Sequence, residues 1–334
     1  MTYPFISTIM ADRKAHLVGA YTGSVMKRLQ MCLQRIPGLL ALMLLLSPSG
    51  YGQKEKPGAM TSTPCTTQTG LHCEIYGSGD PMLFLHGLGG STFSWRYMIT
   101  PLSGEHQVIL IDFRGEGQSP KPHDDHYSIL DQTELIHQFI LEHDLKNLTL
   151  VGNSYGGAVS LLLAIRLCAE SPARLKKLIL IDSGGYKDHL PLFLKVLRFP
   201  GLGWLGVHLL PPKCQIRMVL KQSYHDPAKI TEAQVDAYTA PLASPGGRHA
   251  LLEIGKRAIP KDVQSYIDKY PTISVPTLIL WGDDDRVLPL LIGQRLKAAI
   301  PNSRLELIPS AGHIPQEEQP DAVVAHIKAF LLSP

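Results

Sequence analysis

Short unbroken apolar runs alternate with helix-period segments along most of this chain, and that alternation leaves few folds open. The pattern predicts strands at 71–77 (LHCEIYG), 82–87 (MLFLHG), 107–112 (QVILID), 148–153 (LTLVGN) and 176–182 (KKLILID), with one further strand-like run ahead of residue 71. Helices are expected around 93–102, 127–143 and 155–170. In the last of these, Ala158, Leu161, Leu162 and Ile165 recur at helical spacing. Strands that are apolar throughout are buried on both faces, so this order implies a mostly parallel, doubly wound α/β sheet.

The alternation stops after Gly184. Residues 185–268 carry many prolines, among them those at 191, 200, 211, 212, 227, 241 and 245, and no convincing strand. It then resumes with a strand at 276–282 (PTLILWG), a helix over 290–300, a strand at 304–309 (RLELIP) and a closing helix over 321–332. The expected organisation is one α/β core in two parts, 54–184 and 269–334. A helical cap, 185–268, is inserted between its sixth and seventh predicted strands.

Composition narrows the function classes. The 334 residues are 44% hydrophobic and 18% charged, enough apolar side chain for a sizeable core and unlike a disordered chain. Lys and Arg number 32 against 29 Asp and Glu, and the resulting +3 offers no basic footprint for nucleic acid. No Cys/His spacing suggests a structural zinc site, and five cysteines are too few for a disulfide-built scaffold.

Residues 1–53 read as an N-terminal extension and targeting segment. The apolar run at 38–46, GLLALMLLL, is preceded by Lys27, Arg28 and Arg35 and followed by Ser47-Pro48-Ser49-Gly50. That is the pattern of a secretory signal peptide, and Met26 is its more natural start. The run is shorter than the roughly 20 residues a membrane span needs. The expectation is an exported protein, periplasmic or secreted, with membrane anchoring through 38–46 as the competitor. Cys65 and Cys73 flank Thr67-Gln68-Thr69-Gly70, a turn signal. A turn centred near Thr69 sets the two cysteines across a hairpin, where either a disulfide or two unpaired thiols fits.

The strongest chemical signal is Gly152-Asn153-Ser154-Tyr155-Gly156-Gly157, which lies where a strand ends and a helix begins. A turn that tight admits only small residues two before and two after the serine. It pushes the hydroxyl out over the sheet edge in a strained conformation. A serine hydroxyl is a poor nucleophile until a base takes its proton, and that base needs a third group to orient it. His313, in SAGHIP directly after the last strand, is placed to be the base. The loop Trp281-Gly282-Asp283-Asp284-Asp285-Arg286 offers three carboxylates, of which Asp285 has the reach. Asp283 and Asp284 are expected to cap the loop or face solvent, and Asp182 is a fourth candidate.

The chain order Ser154, Asp285, His313 is that of the α/β-hydrolase triad. From about residue 70 to 332 the chain resembles the α/β-hydrolase fold superfamily, in particular its lidded single-domain serine enzymes. The motifs that carry the resemblance are His86-Gly87-Leu88-Gly89-Gly90, DFRGEGQS (112–119), the serine elbow, WGDDDRVLP (281–289) and AGHIPQEEQP (311–320). The resemblance implies Ser154 as nucleophile, Asp285 as acid and His313 as base. It also implies an oxyanion hole from the backbone amides of Leu88 and Tyr155. His86 is expected to brace its loop, and Asp112, Arg114 and Ser119 to order a turn.

A serine at the elbow excludes the dehalogenase and epoxide hydrolase chemistries of this fold, which use a carboxylate there. Acyl transfer to Ser154 and then to water remains, and no metal or organic cofactor is needed for it. The partner is expected to be a small-molecule, ester-like and hydrophobic substrate, because Leu190, Leu192, Phe193, Leu194, Val196, Leu197 and Phe199 exceed what packing the cap requires. Ester hydrolysis is the leading reading. Carbon–carbon bond hydrolysis of a diketone-type substrate is the alternative; those enzymes usually carry an aromatic residue after the histidine, where this chain has Ile314. A non-catalytic, ligand-binding protein of the same fold is the third reading.

Overall fold

The computed structural model describes residues 62–333 apart from Thr66 and Pro200, all within a compact unit that runs from Gly58 to Pro334. The apolar run at 38–46, the export signal and the anchor expected from it lie outside the described residues. No helix among the described residues is long and apolar enough to cross a membrane.

Eight strands form one sheet: β1 (Thr63–Pro64), β2 (Cys73–Tyr76), β3 (Pro81–Leu85), β4 (Gln107–Ile111), β5 (Leu148–Asn153), β6 (Leu175–Ile181), β7 (Thr277–Gly282) and β8 (Ser303–Ile308). Their order is β1-β2-β4-β3-β5-β6-β7-β8. β1 and β2 run antiparallel at one edge, and every pairing from β4 to β8 is parallel. The fold is therefore the mostly parallel, doubly wound sheet that the alternation predicts. Cys65 and Cys73 form a disulfide beside the β1–β2 pairing, with their Cα atoms 5.5 Å apart.

Side chains along each strand divide between two cores, as a period of two requires. Met82, Phe84, Val108, Leu110, Ile179 and Ile181 face one layer, packed by Met98 and Leu102 of α1 (Arg96–Leu102) and by Val323, Ile327 and Phe330 near the C-terminus. Leu83, Leu85, Ile109, Ile111, Leu178 and Leu180 face the other. There they meet Ile136 and Phe139 of α2 (Ile129–Glu142) and Val159 and Leu163 of α3 (Tyr155–Glu170). The predicted start of α2 at Tyr127 is two residues early. Ser128 caps the helix in a reciprocal box with Asp131, while Tyr127 is buried and donates its hydroxyl proton to the Pro122 carbonyl.

Between β6 and β7 the described residues form helices and no strand. They are α4 (Leu192–Arg198), α5 (Leu202–Leu209), α6 (Pro212–Ser223), α7 (Glu232–Ala243), α8 (Gly247–Arg257) and α9 (Val263–Ile267). After β7 come α10 (Leu290–Ala299), β8, the short α11 (Pro315–Glu318) and α12 (Pro320–Leu332).

Sheet order is what assembles the site. β3 lies between β4 and β5, with Leu85 in register with Ile111 on one side and Gly152 on the other. The strand order reverses there, which opens a crevice at the carboxyl ends of β3 and β5. The segments that leave those ends are His86-Gly87-Leu88 and Ser154.

Candidate active site

The turn after β5 shows why its sequence is small. Ser154 has φ 54° and ψ −114°, a left-sided conformation that costs a non-glycine residue about 1–3 kcal/mol. A Cβ on Gly152 would stand 2.4 Å from both the Gly156 carbonyl oxygen and Ser160 Oγ, and one on Gly156 would stand 2.1 Å from the Leu85 carbonyl oxygen. Neither close approach leaves room for any side chain. The Ser154 amide donates to the Ile181 carbonyl, and its carbonyl accepts from the Ala158 and Gly184 amides, so the strained residue is held from both neighbouring elements.

His313 Nε2 lies 2.8 Å from Ser154 Oγ, and His313 Nδ1 lies 2.8 Å from Asp285 Oδ2. The three groups come from the ends of β5, β7 and β8. Asp285 is nearly sealed from solvent, and its Oδ1 accepts from the amides of Val287 at 2.7 Å and Leu288 at 3.0 Å. Those bonds fix which oxygen faces the imidazole. The His313 amide donates to the Ser223 carbonyl at 2.7 Å, and its carbonyl accepts from Asn153 Nδ2 at 3.1 Å. The imidazole is thus tied to the end of α6 and to the residue before the serine.

The other acids of the β7 loop fall elsewhere. Asp284 pairs with Arg286 and lies 2.9 Å from His225, and the Asp283 carboxylate accepts from the Ala311 amide at 3.4 Å. Asp182 follows β6 and is fully buried, and it does not bond the imidazole. Its Oδ1 accepts from the Gly282 amide at 3.0 Å, and its Oδ2 has no hydrogen-bond partner among the described residues. Burial first, and the Asp285 charge second, raise its pKa well above the ordinary carboxylate value. One ligand atom each of Asp182, Asp285 and His313 lies within 4.8 Å of the others, a spacing that can also suit a metal ion. Here His313 Nδ1 is already bonded to Asp285 Oδ2, and the other oxygen of Asp285 accepts from the Val287 and Leu288 amides.

The loop after β3 borders the serine: Leu88, Ser154 and Tyr155 line the same cleft. Among the described residues, neither the Leu88 nor the Tyr155 amide donates to a protein acceptor. The loop is braced from below. His86 lies 2.8 Å from the Gly87 carbonyl through Nδ1, and its Nε2 accepts from the Phe113 amide at 3.3 Å. The Asp112 carboxylate accepts from the amides of Thr92 and Gln118, and Ser119 Oγ donates to the Asp112 carbonyl. Arg114 pairs with Asp124.

One brace had no sequence signal beyond its place in the 112–119 motif. Glu116 is buried and accepts from the Gly89 amide, next to Leu88. Its other oxygen has no hydrogen-bond partner among the described residues and stands 3.8 Å from His86 Nδ1. Burial, helped by the charge of Asp112, pushes its pKa up to about 8.

The cleft over Ser154 has a cavity volume of about 110 Å³ and is open to solvent. Leu88, Ile129, Leu162, Phe193, Leu194 and Leu288 are among its apolar walls, with Lys187 and His189 as its charged or titratable members besides tyrosines. That is the form of a pocket that binds mainly by apolar burial, with a few polar groups to orient a ligand.

The alpha/beta hydrolase family model matches residues 82–326, and the chain belongs to that family. An uncharacterized hydrolase, YugF of Bacillus subtilis, is 29% identical over 261 residues, which is 75% of this chain and 89% of that protein. The 2-hydroxy-6-oxo-2,4-heptadienoate hydrolase of Pseudomonas putida is 28% identical over 274 residues, 79% of this chain and 92% of that one. Lipase 1 of Psychrobacter immobilis is 26% identical over 269 residues, 76% and 77% of the two chains. Among solved structures, an alpha/beta hydrolase fold protein from Burkholderia ambifaria superposes with a TM-score of 0.67 at 26% identity, covering 77% of this chain and 94% of that one.

Proposed function

We propose that this chain is a serine esterase that cleaves a small or medium, largely apolar substrate through an acyl-enzyme. The observation that carries the reading is the unbroken run of hydrogen bonds from Asp285 through His313 to Ser154 Oγ. In the proposed reaction His313 Nε2 takes the Ser154 proton as Oγ attacks the substrate carbonyl. Negative charge gathers on the carbonyl oxygen and is met by the amides of Leu88 and Tyr155, each worth on the order of 10²–10³ in rate. His313 then hands its proton to the departing alkoxide. A water, deprotonated by the same imidazole, attacks the acyl group and frees the serine. Asp285 holds the imidazole in the tautomer that leaves Nε2 free to accept and stabilises the imidazolium.

The helices between β6 and β7 are read as a lid, since Leu190, Phe193 and Leu194 of that segment line the cleft. Export to an oxidising compartment is supported by the Cys65–Cys73 disulfide. Carbon–carbon hydrolysis is the second reading. It is favoured by the name of the Pseudomonas putida relative and by Lys187 and His189 in the cleft wall, which can receive an acidic group. Ile314 weighs against it: its side chain is buried with Leu220, Tyr224 and Val235.

The test is to label the purified protein with a fluorophosphonate, then assay p-nitrophenyl esters of graded chain length beside a vinylogous diketone. Ester turnover that vanishes in Ser154→Ala, on the order of 10⁶-fold if the three groups act as a unit, is the expected result. Turnover of the diketone alone selects the second reading. An unlabelled serine with a fully active variant overturns both.

A further inference from the structure

The helices α4 and α5 expose more apolar surface than a solvated lid accounts for. On α5, Leu202, Leu205 and Leu209 recur at i, i+3 and i+7, all exposed, while Gly203 and Val207 face inward. Trp204 extends the outer face and stacks on His208 with ring centroids 4.6 Å apart. No residue of this helix carries an acidic or permanently cationic side chain. α4 packs directly against it: a Cβ on Gly203 would stand 2.7 Å from the Leu197 carbonyl oxygen. On α4, Leu194 and Leu197 are buried, and Leu192, Lys195 and Arg198 point to solvent, with exposed Phe199 just beyond.

Charge on this segment is one-sided. Residues 189–223 contain Lys195, Arg198, Lys213, Arg217 and Lys221 and no Asp or Glu. Lys213 and Arg217 are answered by Asp236 and Glu232 of the next helix. Lys195 and Arg198, exposed on α4 with Leu192, have no carboxylate partner among the described residues. An apolar helix face with Trp, Phe and Leu, bordered by cations, is the arrangement that rests in the interface of an anionic bilayer. A second copy of the chain fits less well, because a two-fold pairing of this face would set its cations against their own kind.

We infer that the outer face of α4 and α5 docks on an anionic lipid surface, with Trp204, Leu205 and Leu209 entering the headgroup region and Lys195 and Arg198 meeting lipid phosphates. The inner side of α4 lines the cleft through Phe193 and Leu194, so one helix faces both the bilayer and the pocket. The inference does not depend on the role given to Ser154, nor on residues 38–46.

The chain carries its own reporter. Of its three tryptophans, Trp95 and Trp281 are wholly buried, whereas Trp204 is 54% exposed. The experiment uses the full chain with vesicles of phosphatidylglycerol and phosphatidylcholine, and with phosphatidylcholine vesicles alone. Anionic vesicles are expected to shift tryptophan emission to the blue, and brominated lipid to quench it, with both effects reduced by salt and absent in Trp204→Phe. Leu205→Glu/Leu209→Glu and, separately, Lys195→Glu/Arg198→Glu are expected to lower vesicle co-sedimentation by about tenfold or more. The charge-reversed pair alters only exposed side chains, so its ester turnover and melting temperature should stay near wild type.

Three results overturn the inference. One is absence of binding to anionic vesicles. Another is binding that leaves Trp204 unquenched and both variants unaffected, which assigns the membrane contact to another segment. The third is a lipid-free dimer that Leu205→Glu/Leu209→Glu converts to monomer, which assigns the face to a second copy.

Discussion

Replacing Glu116 with glutamine should make the protein more stable, and increasingly so as the pH rises. The carboxyl is buried below the loop that carries the Leu88 amide, and its pKa is pushed from an ordinary 4.5 to about 8. In the unfolded chain it ionises near its ordinary value. Between those two pH values the unfolded state therefore binds fewer protons than the folded state, and stability falls as pH rises. The fall begins near pH 4.5 and ends once the folded carboxyl also ionises, near pH 8. A gap of that width corresponds to about 5 kcal/mol, at about 1.4 kcal/mol per pH unit, as an upper bound. Glutamine keeps the acceptor for the Gly89 amide and does not titrate. Urea unfolding of wild type and Glu116→Gln at pH 5 and pH 8 measures the difference. The variant should gain several kcal/mol relative to wild type between the two conditions, and its fluorophosphonate labelling at pH 7 should persist because the loop keeps its brace. A stability difference that is the same at both pH values would refute the argument that this carboxyl is neutral when folded.

Three further outcomes are expected. Single Asn substitutions at Asp283, Asp284 and Asp285 should separate the acids by kcat, with a loss on the order of 10⁴-fold at Asp285 and near-wild-type rates at the other two. Gly156→Ala should abolish soluble expression or lower the melting temperature sharply, since its Cβ would stand 2.1 Å from the Leu85 carbonyl oxygen; a melting curve decides. Reducing the Cys65–Cys73 disulfide, whose cysteines are 8 positions apart, should weaken the β1–β2 edge by about 2–3 kcal/mol, read as faster hydrogen exchange there.

The parts of this molecule most legible in its sequence are those where local sterics leave no choice. Gly152 and Gly156 border Ser154 because carbonyl and hydroxyl oxygens sit where their side chains would be, so the elbow is visible in six letters. Strands such as 82–85 are readable because burial on both faces removes every polar residue from them. Long-range relations left fainter traces. Asp182 stands among several acids in the sequence, and only the β6–β7 pairing brings it beside Asp285. Glu116 lies in a recognisable motif, yet nothing in its neighbours says that it reaches under Gly89. The apolar letters of 190–209 cannot tell which side of a helix meets the core. Leu194 and Leu197 turn inward while Leu192 and Trp204 turn out, a division set by where α4 and α5 pack. The Cys65–Cys73 pairing was open in the same way, since it depends on hairpin register.

The backbone tie between His313 and Ser223 divides the helical segment into two mechanical parts. Gly312 is crowded against the same stretch, with a Cβ position only 2.2 Å from the Ser223 carbonyl oxygen. A motion that carried the end of α6 outward would break the hydrogen bond from the His313 amide to the Ser223 carbonyl and pull on the residue whose imidazole meets the serine oxygen. An opening that spares this hydrogen bond leaves the end of α6 in place, as a flap does on a fixed seam.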